Sequence, residues 1–158
     1  MLQRLILLRH GEAVPRAPSG RDLDRPLSEA GRAAAAEAGG VLRDAGIAPD
    51  IALVSPALRT RRTWEAARVA WPDAPPDREE PGLYDETPAR LLKLAEAAGE
   101  AAVALVAHNP GLQALAVDLA LDDARLAAGF PPATVAVLDR GEGGTWSVAL
   151  FHTPSGAR

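Results

Sequence analysis

The sequence of 158 residues contains no cysteine, a single lysine and few aromatic residues, namely three Trp, two Phe and one Tyr. Without cysteine the chain has no disulfide framework, no thiolate nucleophile and no Cys-ligated zinc. It also lacks any apolar run near the ~20 residues of a membrane-spanning helix, and its first apolar segment is too short for a secretory signal. We therefore expect one cytoplasmic domain over residues 1–158 that does not engage a membrane.

Acidic residues outnumber basic ones, 21 against 17, which gives a formal net charge of −4. This excess argues against a protein that coats nucleic acid. The charge is unevenly distributed, because residues 1–62 contain ten basic and seven acidic side chains, net +3, and residues 63–158 contain seven and fourteen, net −7. A local cationic site is therefore expected in the first third of the chain.

Short apolar runs alternate with helix-starting signals along the chain. Buried strands are predicted over 3–8, 50–55 and 101–108, and two more, 134–138 and 145–151, flank a glycine-rich turn typical of a hairpin. Helices are predicted from Ser28 to about 42, Pro56 to about 70, Thr87 to about 98 and Pro110 to about 121, with loops over 11–27 and 72–81. The alternation predicts an α/β fold, a three-layer α/β/α sandwich with a mostly parallel sheet and one antiparallel edge.

Each of the three buried strands ends in polar side chains that packing does not require. Arg9-His10-Gly11 follows the first strand, Ser55 ends the second with Arg59 one turn later, and His108-Asn109 ends the third. Because parallel strands meet with their carboxyl ends at one edge of a sheet, these residues should converge on one crevice, with two helix N-termini pointing at it. Two arginines, two imidazoles and two helix dipoles predict a site for a compact anion such as phosphate.

The same segments carry a resemblance to a known family. Leu8-Arg9-His10-Gly11-Glu12 resembles the signature of the histidine phosphatase superfamily, which has the phosphoglycerate-mutase-like fold. Similar segments follow in the family's order: Ser55-Pro56-Ala57-Leu58-Arg59-Thr60, Val106-Ala107-His108-Asn109 and Phe130-Pro131-Pro132-Ala133-Thr134. The short chain, with a modest stretch between Arg59 and His108, resembles the phosphohistidine phosphatase SixA branch.

The resemblance implies that His10 is a nucleophile that forms a covalent phosphoenzyme. Its second ring nitrogen must then keep a proton, which a backbone carbonyl near Gly11 could accept, while the flanking arginines disfavour imidazolium. Arg9 and Arg59 would neutralise the phosphoryl oxygens and His108 would donate to them, with Gly11 and Asn109 as further phosphate ligands. No metal and no cofactor is implied.

A leaving alkoxide needs a proton, and the family places an acid after a Leu-x pair. Here Leu83-Tyr84-Asp85-Glu86 offers Asp85 first and Glu86 next, and both could instead be solvated loop acids. A phosphohistidine substrate relaxes the demand, because its leaving nitrogen is protonated more easily.

Simpler roles remain open for several residues. Arg59 could be a surface residue like Arg61 and Arg62, and Asn109 could simply cap the helix that follows it.

Different functions also remain open. The first hypothesis is a phosphatase acting on a phosphohistidine protein, with a small phosphomonoester as the alternative substrate. A metallohydrolase built from His10, Glu12, His108 and Asp85 or Glu86 is disfavoured, because neighbouring arginines repel a cation. A non-catalytic module that binds phosphorylated ligands is the remaining alternative. The sequence leaves the oligomeric state undetermined.

Overall fold

A computed structural model describes residues 1–155 of the chain, with six strands and five α-helices among them. The strands are β1 (Arg4–Arg9), β2 (Ile51–Val54), β3 (Asp77–Glu79), β4 (Ala102–Ala107), β5 (Val135–Arg140) and β6 (Trp146–His152). The helices are α1 (Glu29–Asp44), α2 (Leu58–Arg68), α3 (Pro88–Ala97), α4 (Gly111–Leu119) and α5 (Ala124–Ala128). None of these helices is both long enough and apolar enough to span a bilayer.

The strands form one sheet in the order β3-β2-β4-β1-β5-β6. The first four are mutually parallel, β5 runs antiparallel to β1, and β6 returns antiparallel to β5 as a hairpin. Arg9 at the end of β1 pairs with Ala107, and Val54 at the end of β2 pairs with Val106, so the carboxyl ends of the three central strands are level. The predicted α/β fold, with a mostly parallel sheet and an antiparallel pair at one edge, is confirmed.

Alternate residues of the central strands enter two separate apolar layers. Leu5 and Leu7 of β1 belong to a cluster with residues of α3, α4 and α5. Ile6 and Leu8 belong to a second cluster with residues of α1 and α2, including Trp64. All four β1 side chains are buried, as expected of a strand covered by helices on both faces, and the result is a three-layer sandwich.

The sequence analysis missed or misplaced three elements. β3 lies in a segment predicted as a loop, and all three of its residues are exposed. Its position is fixed by pairing with β2 and by Asp77, which accepts a hydrogen bond from Trp64 Nε1 at 2.8 Å and contacts Arg68 at 2.9 Å. α5 was not predicted, and it has only five residues. α2 begins at Leu58 rather than at Pro56.

The start of α1 packs directly against the chain that leaves β1. Ser28 caps this helix, as predicted, by accepting a hydrogen bond from the Gly31 amide at 3.0 Å. A Cβ atom on Gly31 would lie 2.1 Å from the carbonyl oxygen of Glu12, and one on Gly11 would lie 2.5 Å from that of Gly31. Only glycine at both positions allows the helix and the segment after β1 to approach this closely.

Candidate active site

His10 directly follows β1, and backbone and side-chain hydrogen bonds fix its position. Its amide donates to the carbonyl of Ala107 in β4 at 3.1 Å, and its own carbonyl accepts from Ala133 at 2.9 Å. Its ring Nδ1 lies 2.7 Å from the carbonyl oxygen of Gly11. Because a carbonyl can only accept, Nδ1 carries the proton and Nε2 keeps its lone pair. The expected backbone acceptor is thus the carbonyl of Gly11 itself.

His108 follows β4, and its ring centroid lies 5.4 Å from that of His10. Its Nε2 forms a 2.7 Å hydrogen bond with the hydroxyl of Ser55, which is fully buried at the end of β2. Its Nδ1 lies 3.4 Å from Nη2 of Arg59. The predicted convergence of the three strand ends is therefore present, and Ser55 orients the second imidazole.

Both predicted arginines are beside the imidazoles. Arg59, in the first turn of α2, is only 7% exposed, whereas Arg61 and Arg62 on the same helix are exposed. Arg9 is half-buried, and its Nη1 donates to the carbonyl of Phe130 at 2.6 Å. Burial therefore distinguishes Arg59 from its neighbours, and the surface alternative for Arg59 is wrong.

Asp22 and Tyr84 also belong to the site, and sequence reasoning missed both. Asp22 accepts hydrogen bonds from Arg59 Nη2 and Arg25 Nη1, each at 3.0 Å, and a short one from the Tyr84 hydroxyl. The Tyr84 hydrogen bond, followed by those from the two arginines, holds the pKa of Asp22 far below its ordinary range. Asp22 is thus an ionised counter-charge to the arginines, and its place in a loop gave no signal in the sequence.

The environment keeps both imidazoles neutral. Burial is the main cause that lowers the pKa of His10 to about 4. The hydrogen bond to the Gly11 carbonyl opposes this shift, and smaller contributions from Arg9 and Arg59 reinforce it. Burial, followed by Arg59 and His10, lowers the pKa of His108 to about 3. Two neutral imidazoles beside arginine cations are suited to receive a phosphoryl dianion, with Nε2 of His10 as the free nucleophilic atom.

One small cavity of about 140 Å³ is lined by Asp85, Glu86 and His108, and Tyr84 lines it as well. Asp85 is exposed, while Glu86 is half-buried with its carboxylate 4.0 Å from Arg90. The structure therefore brings both candidate acids to a cavity that His108 also lines.

The other two predicted phosphate ligands have partners within the chain. The Gly11 amide donates to the hydroxyl of Thr63 at 2.9 Å, so Gly11 contributes to the site through its carbonyl. The Asn109 side chain accepts from the Gln113 amide at 3.2 Å, which caps α4, and donates to Phe130 at 3.4 Å. Glu12 is exposed, and residues 1–155 contain no group of three or more His, Cys, Asp or Glu that could hold a metal ion.

Comparisons with known proteins found a matching family model and similar solved structures. The family model of the histidine phosphatase superfamily (branch 1) matches residues 5–85. A crystal structure from Agrobacterium tumefaciens, provisionally named phosphohistidine phosphatase SixA, is 34% identical with a TM-score of 0.87 and covers 98% of this chain and 99% of that one. A structure from Nakamurella multipartitia with the same provisional name is 28% identical, with a TM-score of 0.83 and coverage of 97% and 96%.

A curated relative matches only part of the chain. An uncharacterised chloroplastic protein of Arabidopsis thaliana is 48% identical over 67 residues, which are 42% of this chain and 31% of that protein. The chain thus spans less than a third of the length of this relative.

We predict that the stability of the fold depends on pH through His10 and His108. The unfolded chain binds these protons near the ordinary pKa of about 6.5. The folded chain binds them only near pH 4 and pH 3. The free energy of unfolding should therefore fall as the pH drops from about 7 to about 5, by on the order of 1–2 kcal/mol per histidine.

Denaturant unfolding at about pH 7 and at about pH 5 measures this loss of free energy. His10→Gln should remove about half of the loss that the imidazoles of His10 and His108 cause together. Ring NMR titration gives the folded pKa directly. A folded His10 that titrates at its ordinary pKa of about 6.5 would contradict the claim that burial lowers the pKa of this ring.

Proposed function

This chain belongs to the histidine phosphatase superfamily, in its SixA-like branch, and we propose that it dephosphorylates phosphohistidine side chains of a protein through a covalent phosphate on His10. Family membership and the SixA relatives support phosphatase activity. The observation that carries the proposed mechanism is the His10 ring, with its Nδ1 proton bound to Gly11 and its Nε2 lone pair free among arginines.

In the first step, Nε2 of His10 attacks the phosphorus atom of the substrate. A bond forms between Nε2 and phosphorus as the bond between phosphorus and the substrate nitrogen breaks, and the bonding electron pair leaves with that nitrogen. Arg9 and Arg59 neutralise the phosphoryl oxygens, whose charge spreads in a loose transition state. The leaving imidazole takes a proton from water or from Asp85.

His108 would assist through its Nδ1, which faces Arg59. Because the Arg59 guanidinium can only donate, it donates to Nδ1, and the ring proton then resides on Nε2, which donates to the Ser55 hydroxyl. Donation from Nδ1 to a phosphoryl oxygen requires the other tautomer, which forms when Arg59 turns from Nδ1 to the phosphoryl group and the Ser55 hydroxyl donates to Nε2. Ser55 is thus a positioning residue that acts through His108. In the second step, water attacks phosphorus, the bond to His10 breaks and inorganic phosphate leaves, while the proton of the water passes to Asp85 or to solvent.

Two observations support a protein substrate. Asp85 is exposed and lines the same cavity as His108. A side chain of another protein can therefore approach this cavity from the surface. The two similar structures from Agrobacterium tumefaciens and Nakamurella multipartitia carry the name phosphohistidine phosphatase.

A small phosphomonoester is the second candidate substrate. The placement of Asp85 and Glu86 beside His108 favours it, because an alkoxide leaving group requires a general acid at such a position.

We predict that kcat/KM for a phosphohistidine protein exceeds that for each of a panel of metabolite phosphates. His10→Ala should lower turnover by at least about a thousandfold, because no other group replaces the nucleophile. His152→Gln is the matched control, since His152 lies 3.8 Å from Glu37 of α1 and outside the His10 site. Metabolites favoured by orders of magnitude would contradict the protein substrate, and full activity of His10→Ala would contradict the mechanism.

We further predict that Asp85, rather than Glu86, supplies the proton to the leaving group. Asp85→Asn should lower kcat on an alkyl phosphate by roughly 100-fold and lower it much less on phosphohistidine, whose leaving nitrogen is protonated more easily. Glu86→Gln, the matched substitution at the carboxylate next to Arg90, should have a small effect on both substrates. A larger loss in Glu86→Gln, or equal losses of Asp85→Asn on both substrates, would reject this assignment.

A further inference from the structure

The loop between β1 and α1 contains a second cavity beside the active site. It has a volume of about 440 Å³, and its lining residues are Pro15, Arg16, Ala17, Gly20, Arg21, Asp22 and Arg25. Three of these seven residues are arginines. None of the sequence motifs that define the catalytic site includes them, so their concentration needs a separate explanation.

Asp22 forms a shared wall between this arginine pocket and the catalytic site. One carboxylate oxygen of Asp22 accepts from Arg25 and the other from Arg59, each at 3.0 Å. Arg25 is held further by a 2.9 Å hydrogen bond from its Nε to the carbonyl of Val14, and it is close enough to His10 to help lower the pKa of that ring. A group in the pocket would therefore lie next to a phosphoryl group at His10.

The arginine pocket retains unneutralised positive charge. Asp22 divides its carboxylate between Arg25 and Arg59. Within the described part of the chain, the one ion pair of Arg21 is a long contact of 3.9 Å with Asp24. Arg16 is exposed and has no ion pair with any residue among 1–155. The planar guanidinium groups are shaped to bind a carboxylate or a phosphate through paired hydrogen bonds.

We propose that the pocket of Arg16, Arg21 and Arg25 binds a second acidic group of the substrate, next to the phosphoryl group on which His10 acts. Building on the proposed function, we infer that this group is the carboxylate of an Asp or Glu side chain close to the phosphohistidine. A small phosphorylated carboxylic acid would offer the same chemistry, and the test separates the two sources.

The test compares kcat/KM for two phosphohistidine peptides that differ only in Glu or Gln beside the phosphohistidine. A second pair is a small phosphorylated carboxylic acid and its amide. The variant is Arg16→Gln combined with Arg21→Gln, two exposed positions whose substitution leaves the Asp22 network in place. The control is Arg78→Gln, another exposed arginine, which lies on the edge strand β3 and does not line the pocket.

The native chain should favour the Glu peptide by about five- to tenfold, mainly through KM, as expected for two partly solvated charge contacts. The double variant should lower that preference to near unity, and Arg78→Gln should retain it. No preference in the native chain, or the same preference in the double variant, would overturn the inference while turnover of both peptides upholds the proposed function. A different result would reject the phosphohistidine substrate but uphold the pocket. In that result both peptides are inactive, the native chain prefers the small phosphorylated acid over its amide, and the double variant loses this preference.

Discussion

The Nδ1 proton of His10 is donated to the carbonyl of Gly11, and this 2.7 Å hydrogen bond leaves the Nε2 lone pair free for chemistry. The rest of the site depends on this orientation. The backbone of Gly11 is itself held by Thr63 of α2 through its amide and by close contact with Gly31 of α1. Two helices from one face of the sheet therefore fix the carbonyl that selects the tautomer, so the packing of the fold and the state of the nucleophile are directly connected.

The charges around the two imidazoles are mostly positive. Arg9, Arg25 and Arg59 lie close enough to His10 to lower the pKa of its ring, and the ionised carboxylate of Asp22 is their counter-charge. Burial keeps His10 and His108 uncharged, so the arginines are not opposed by anything except Asp22 among the groups that shift the two rings. A chain of net charge −4 thus has a locally positive site, because its basic residues are concentrated in the first third of the sequence.

The elements that the sequence could predict are those whose own residues determine them. An apolar run such as Leu5–Leu8 forms a buried strand whichever strand it pairs with. The carboxyl ends of parallel strands lie at one edge of the sheet, so His10, Arg59 and His108 could be placed together from the sequence. β3 escaped prediction because its residues are exposed and polar, and its structure comes from pairing with β2 and from contacts with Trp64 and Arg68 of α2.

Asp22 escaped prediction for the same reason. Its role arises from hydrogen bonds to Arg59 and Tyr84, 37 and 62 residues away. The most direct test of the central claim is to quench the enzyme with base during turnover and map the covalent phosphate by mass spectrometry. The account predicts a base-stable, acid-labile phosphate on Nε2 of His10, absent from His10→Asn. Phosphate on His108, or rapid turnover with no phosphorylated intermediate, would contradict it.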